Sequence, residues 1–216
     1  MTHVAADANS ARDAILERLR AARATVTVPR ADAPAIAPFV RRPREECVQR
    51  FMHEAAAVGV ECFAEPSEAG VRARVSALID GLHVLSWAPA ELPYALGDLV
   101  NGATGGGSSR ADQANAAVGL TGCDAAIAET GSLAMISAPG RSRAVSLLPP
   151  FHVAVVSPAQ ICFTMGEFFA DYRDRLRDAA SCTFITGPSR TADIELTLTL
   201  GIHGPGRVAI VVGPLD

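Results

Sequence analysis

The spacing of apolar residues along this chain changes period several times, and each change marks an element. Over residues 10–23 (SARDAILERLRAAR), Ala14, Ile15, Leu19 and Ala22 fall near one face of a 3.6-residue turn with Ser10 ahead of them as an N-cap, which predicts a short amphipathic helix. PRADAPAIAPF, residues 29–39, follows with three prolines and reads as an extended linker. From Pro43 the pattern alternates: a helix over 43–59, a short strand near Val60–Ala64, a helix over 67–80 and a strand over Leu82–Trp87. Helices and strands taking turns predict βαβ units and a largely parallel sheet.

A further helical segment is predicted over ELPYALGDLVNG (91–102), and GATGGGSSRAD (102–112) reads as a flexible loop. Two β-rich runs, Ala126–Glu129 and Ser132–Ser137, are separated by Thr130-Gly131 and predict a hairpin. Phe151–Val156 (FHVAVV) is a buried strand by its run of branched residues. One long helix is expected over 157–180, capped by Ser157 with Pro158 at its first position. CTFITGPSRTADIELTLTLGIHGPGRVAIVVG then closes the chain as strand, helix and strand. The fold expected is α/β, an open, mostly parallel sheet with an inserted β-hairpin. The expected division is an N-terminal helix and proline-rich linker at 1–42 and an α/β domain at 43–216.

Composition narrows the chemistry. The chain has 216 residues, 49% hydrophobic and 19% charged, with a formal net charge of −4, so no broad basic surface invites nucleic acid. All 19 cationic side chains are arginine. Lysine Schiff bases, lysine general bases and a P-loop lysine are thereby excluded, and an anion site must use arginine, backbone N–H groups and hydroxyls. The five cysteines (Cys47, Cys62, Cys123, Cys162, Cys182) include no C-x-x-C pair, which argues against zinc or an iron–sulfur cluster held by this chain. Without an apolar leader or a run long enough to span a membrane, the sequence points to a reducing cytoplasm. It singles out no cofactor.

Three places carry candidate chemistry, each with a structural alternative. In GPSRTADIE, Gly187-Pro188 ends a strand and a helix is expected to start, so Ser189, Arg190 and Thr191 can cradle a carboxylate or phosphate beside first-turn N–H groups. The alternative makes Ser189 or Thr191 an N-cap, Asp193 and Glu195 dipole-compensating acids and Arg190 one half of a salt bridge. HGPG brings His203 and Arg207 toward the sheet, where His203 can act as acid or base or can simply hold a loop. Glu129, in AIAETG, stands at a strand end before Thr130 and Gly131, as a base or nucleophile or as the partner of an arginine such as Arg190. Gly105–Gly107 suggest a phosphate loop, but with no lysine a flexible loop is the stronger reading, and His152 reads as a core or rim histidine.

VGLTGCDAAIAETGS, SLLPPFHVAVV and ITGPSRTADIELTLTLGIHGPGR occur in an order that resembles the LUD domain family, over about residues 80–213. The resemblance implies a LUD-type domain over 43–216, with a fold like that of the ribose-5-phosphate isomerase and CoA-transferase superfamily. It also implies a cytoplasmic component of an L-lactate utilization system oxidising lactate to pyruvate beside iron–sulfur partner proteins. The family motif falls on Glu129, Thr130, Gly131, Gly187, Pro188, Ser189, Arg190, Thr191, Asp193, Glu195, His203, Gly204 and Pro205; where the family usually has a basic residue after HGP, Gly206 stands and Arg207 follows. On this reading Glu129 and His203 are the catalytic candidates. Thr130, Gly131, Gly187, Ser189, Arg190, Thr191, Asp193 and Arg207 are the candidates for holding a small carboxylate, a phosphate or a partner surface. Two other classes stay open: a free-standing isomerase or acyl/CoA-transfer enzyme using Glu129, and a non-catalytic scaffold subunit.

Overall fold

The computed structural model describes residues 4–25, 39–100, 103–191 and 199–215, in two units, Met1–Pro38 and Phe39–Asp216. The first unit contributes one helix, α1 (Val4–Thr25), longer at both ends than predicted, with Ile15 and Leu19 of its apolar stripe exposed. All of the expected linker except Phe39 lies outside the described residues.

The second unit opens with α2 (Arg44–Ala57), β1 (Glu61–Ala64), α3 (Glu68–Ile79) and β2 (Val84–Ser86), the alternation that the pattern predicts. β3 (Thr104–Gly105), α4 (Arg110–Ala114), β4 (Val118–Thr121), the hairpin strands β5 (Ala125–Ile127) and β6 (Ser132–Ile136), α5 (Ala144–Leu147) and β7 (Phe151–Val156) follow. The remainder is β8 (Ile161–Cys162), α6 (Met165–Asp171), α7 (Arg173–Asp178), β9 (Cys182–Ile185), β10 (Arg190–Thr191), β11 (Thr199–Leu200) and β12 (Arg207–Val212).

Six strands form one sheet in the order β1-β12-β7-β4-β2-β3, and every pairing in it is parallel. Its centre is β7, whose six residues are all buried because both faces are covered. On one face Val153 and Val155 join Val71, Val75 and Ile79, which recur every fourth residue along α3. On the other, Ala154 and Val156 meet Phe51 and Ala55 of α2 together with Ala126, Ala128 and Leu133 of a second sheet. That second sheet, ordered β8-β5-β6-β9, contains the predicted hairpin and is itself backed by Phe168 of α6. The fold is therefore α/β with a mostly parallel central sheet, as expected. In the six-stranded sheet the chain moves outward from β2 to β3, then returns to β4 and continues the other way, so its direction reverses between β2 and β4. Among the described residues no helix is long and apolar enough to cross a membrane.

Three expected helices are different in the structure. The single helix over 157–180 is a short 3-10 turn (Pro158–Gln160), then β8, α6 and α7. Ser157 does cap the turn, but Ile161 and Cys162 are drawn into pairing with Ala126 and Ile127, and the helix restarts at Thr164, whose hydroxyl accepts from the Glu167 N–H at 3.1 Å. The segment over 91–102 forms 3-10 turns at Pro89–Glu91 and Leu96–Val100. Pro93 supplies no N–H, and Tyr94 and Ala95 take φ of 55° and 51°, a region that ends an α-helix. After Gly187-Pro188 no helix begins at Ser189–Thr191: Arg190 and Thr191 pair antiparallel with Leu200 and Thr199, β-branched threonines suiting a strand. Asp193 and Glu195 lie outside the described residues.

His152 is a core histidine. It is fully buried, Nε2 lies 2.9 Å from Thr121 Oγ1, and Nδ1 has no partner among the described residues. Burial disfavours the imidazolium and lowers its pKa from 6.5 to about 4. The unfolded chain then takes up this proton first, so stability falls as pH drops from about 6.5 toward 4, by about 3 kcal/mol in all. We expect His152→Gln to flatten that part of the pH dependence, with the effect of the carboxylates common to both proteins. Urea midpoints at pH 7, 5 and 4 measure it, and parallel curves for the two proteins would remove His152 as the cause.

Candidate functional site

Three of the motif residues, Gly131, Gly187 and Arg190, meet at the carboxyl end of α2. Gly131 follows β5 with φ +64°, and a Cβ built on it would stand 2.3 Å from the Ala55 backbone nitrogen, so the hairpin turn lies directly on the helix backbone. Gly187, with φ +79°, meets the same helix farther on, its would-be Cβ 2.8 Å from the Val58 carbonyl oxygen. Both positions demand glycine by conformation and by space. The Arg190 guanidinium closes the contact by donating to the Val58 carbonyl, at the electronegative end of α2.

Hydroxyls join the two motifs. Thr130 Oγ1 donates to Ser132 Oγ at 2.8 Å, and Ser132 Oγ lies 2.7 Å from Thr186 Oγ1. Because β5 and β9 both run antiparallel to β6, Glu129 and Gly187 stand at the same edge of the small sheet. Glu129 is exposed, and its Oε1 accepts from the Met165 N–H at 2.7 Å, at the start of α6. Its partner is thus a backbone N–H where an arginine was the alternative expected.

Ser189 holds the HGP loop. Its N–H donates to the Pro205 carbonyl at 2.8 Å, its carbonyl accepts from Gly201 at 3.0 Å, and its Oγ accepts from the His203 N–H at 3.4 Å. The His203 side chain is exposed. Gly204 packs beside Ser189, and a Cβ there would be 3.5 Å from the serine Cβ. Thr191 is half-buried in β10. Arg207, the first residue of β12, makes a two-pronged pair with Glu61 at 2.5 and 2.8 Å and lies 4.0 Å over the Phe151 ring. The hydrogen bond from Arg207 holds Glu61 below the usual carboxylate range.

This cluster sits at the amino edge of the six-stranded sheet, where β1, β7 and β12 begin. Crevices in open α/β sheets lie at the carboxyl edge, outside the point where strand order reverses. There the structure builds a second polar centre that the motifs do not mark. Asp124, just beyond β4, is almost fully buried; one oxygen takes Arg141 at 2.7 Å and Arg175, and the other accepts from the Ile136 N–H at 2.7 Å. Arg141 also reaches Glu91 at 2.6 Å and lies 5.3 Å over the Trp87 ring. A cavity of about 220 Å³ opens between Trp87 and Gly122, past the ends of β2 and β4. The sequence reading did not mark Asp124, which stands directly before β5.

Among the described residues no three His, Cys, Asp or Glu side chains gather as a metal site. Burial pushes the Cys62 and Cys162 thiols up to about 11 and that of Cys123 higher, so these thiols are poor nucleophiles and metal ligands at neutral pH.

The sequence pattern that defines the LUD domain matches residues 2–212. The chain belongs to the LUD domain family. Curated relatives include lactate utilization protein C of Exiguobacterium sp. (strain ATCC BAA-1283 / AT1b), 38% identical over 109 residues, 49% of this chain and 47% of that protein. The proteins of the same name from Deinococcus radiodurans and Bacillus subtilis are 39% identical over 94 residues and 36% over 107, covering 43% and 48% of this chain and 44% of each relative. The chain spans about half the length of the curated relatives it matches. Its fold is similar to the crystal structure of a DUF162 family protein from Deinococcus radiodurans, with a TM-score of 0.63, 25% identity, and 80% of this chain and 99% of that one covered.

In this LUD domain the paired glycines test the packing directly. Gly187→Ala must strain a positive φ and push on the Val58 carbonyl, and Gly131→Ala meets helix backbone that cannot yield. Each is expected to lose at least about 1–3 kcal/mol of stability. Chemical denaturation measures it, and a midpoint unchanged from wild type would show that the contact with α2 is dispensable.

Proposed function

We propose that this chain is a component of a cytoplasmic L-lactate utilization system, in which lactate is oxidised to pyruvate beside iron–sulfur partner proteins. The observation that carries the reading is membership of the LUD domain family, with relatives named lactate utilization protein C at 35–39% identity. Two features of the chain support an accessory place in the reaction. The buried Cys123 and half-buried Cys62 and Cys162 thiols are held protonated, which suits a subunit whose electrons travel on a partner. The helix α1 offers Ile15 and Leu19, 58% and 60% exposed, as an apolar stripe to such a partner.

Deletion of the coding sequence in the organism of origin should abolish growth on L-lactate, spare growth on glucose, and be reversed by the intact chain. Ile15→Glu combined with Leu19→Glu should leave the domain folded and reduce co-purification of the iron–sulfur proteins. Undiminished growth of the deletion strain on lactate would overturn the proposal.

A further inference from the structure

A cavity of about 560 Å³ opens at the carboxyl ends of β2 and β3, on the other side of the Trp87–Ala88 segment from the Asp124 centre. Its walls are Ala88, Pro89, Gly105, Gly106, Gly107, Ala138, Gly140 and Ser142, with no side chain larger than proline. A volume of this size is that of a small-molecule site. The loop expected to be flexible is held. The Gly105 N–H donates to Ser108 Oγ and the Ser108 N–H to the Gly105 carbonyl, at 3.2 and 3.0 Å. Gln113 Nε2 reaches the carbonyls of Gly106 and Ser108 at 3.1 and 2.8 Å.

The three glycines have different reasons to be glycine. Gly106 is required by the protein itself, since a Cβ there would lie 2.2 Å from Ser142 Cβ. Gly105 and Gly107 are not. Neither has a positive φ, and a Cβ on either would meet nothing within 4 Å. A glycine that neither conformation nor packing requires destabilises the chain for no structural return, and its missing side chain leaves room for close approach of another molecule to backbone.

The donors at this cavity suit an anion. A trans peptide points its N–H away from its C=O, so drawing the Gly106 carbonyl to Gln113 turns the Gly107 N–H away from that side chain. The register Ser86↔Gly105 turns the Gly106 N–H toward the Ser86 carbonyl of β2, whereas among the described residues no acceptor takes the Gly107 N–H, and Ser142 brings a hydroxyl to the same cavity. Arg143, next in the chain, is exposed, lines the adjoining cleft that shares Ser142 with this cavity, and makes no ion pair with a described residue. No carboxylate lines the cavity.

We infer that the glycine-walled cavity beyond the ends of β2 and β3 is an oxyanion site, in which the Gly107 N–H and the Ser142 hydroxyl hold a carboxylate or phosphate group of a small molecule and Arg143 supplies the countercharge. It is read from the geometry of the cavity and stands independently of the lactate proposal.

Thermal melts of the full chain with inorganic phosphate, AMP, L-lactate and pyruvate test it. At a hundredfold excess over Kd, a bound anion raises the midpoint by about 5 °C or more. A shift with phosphate or AMP assigns a phosphate site, and one with lactate or pyruvate a carboxylate site. Gly105→Val places a β-branched side chain in open space on a strand, and is expected to keep or raise the midpoint without anion while weakening the anion at least tenfold. Arg143→Gln, at an exposed position, is expected to weaken it tenfold with stability unchanged, and it serves alone if the valine variant does not fold. The site is overturned if none of the four anions shifts the wild-type midpoint, or if the folded variants respond as the wild type does.

Discussion

The small sheet reaches the main body of this protein through backbone on backbone. Gly131 and Gly187 rest on α2 where a single additional carbon would overlap the Ala55 nitrogen or crowd the Val58 oxygen. Interiors are too densely packed to absorb such an overlap by small shifts. The contact fixes the distance of the hairpin from the helix. That distance lets Thr130, Ser132 and Thr186 form one chain of hydroxyls and lets Arg190 reach the helix end. From the same loop Ser189 captures the 201–205 segment that leads into β12. One packing constraint therefore orders three stretches of sequence that are far apart in the chain.

The carboxyl edge depends on a different interaction, a buried carboxylate shared by two guanidinium groups. An isolated charge at Asp124 would be costly, and two arginines with a backbone N–H saturate it. Arginine suits this role in a chain without lysine because its flat, branched head can hold Glu91 and Asp124 at once in fixed directions. The pairing ties β6, α7 and the turn before α5 to the end of β4, and Tyr172 adds a bond from its hydroxyl to the Asp124 carbonyl at 2.6 Å. The walls of the crevice beside Trp87 are thus set by charge pairing, whereas those of the amino edge are set by glycine contacts.

Alternation made β1, β2, β7 and β12 of the main sheet legible in sequence, since buried parallel strands read as short apolar runs and α2 and α3 carry regular stripes, whereas β3 fell in a segment read as a loop and β4, at Val118–Thr121, was not expected. The hairpin was legible from two β-rich runs on either side of Thr130-Gly131. What failed was the long helix over 157–180, because helical spacing continued through Ile161 and Cys162 while pairing with β5 decided their structure. Thr164 followed by Glu167 was a local signal of the true start. The helix expected at Ser189 failed for a similar reason, the partner strand at Thr199–Leu200 lying beyond any local window. For the site, sequence marked residues with chemical character but could not show which already had partners. Arg207 looks like a free cation in HGPGR, yet strand register places Glu61 beside it.

That distinction separates the two edges energetically. An anion approaching Arg190 or Arg207 competes with the Val58 carbonyl or the Glu61 carboxylate, so each bond it gains replaces one already made inside the protein. Displacing a charged partner also leaves that partner to be resolvated, which subtracts from the gain. At the proposed glycine-walled site the Gly107 N–H has no acceptor among the described residues, so an anion bound there exchanges only water. Bonds formed against water and held by a rigid loop retain more of their strength than bonds formed against an internal competitor. The same reasoning makes a stretch of glycines with no charge of its own a favourable place for the proposed ligand, because the arginines of the motif segment already hold partners inside the protein.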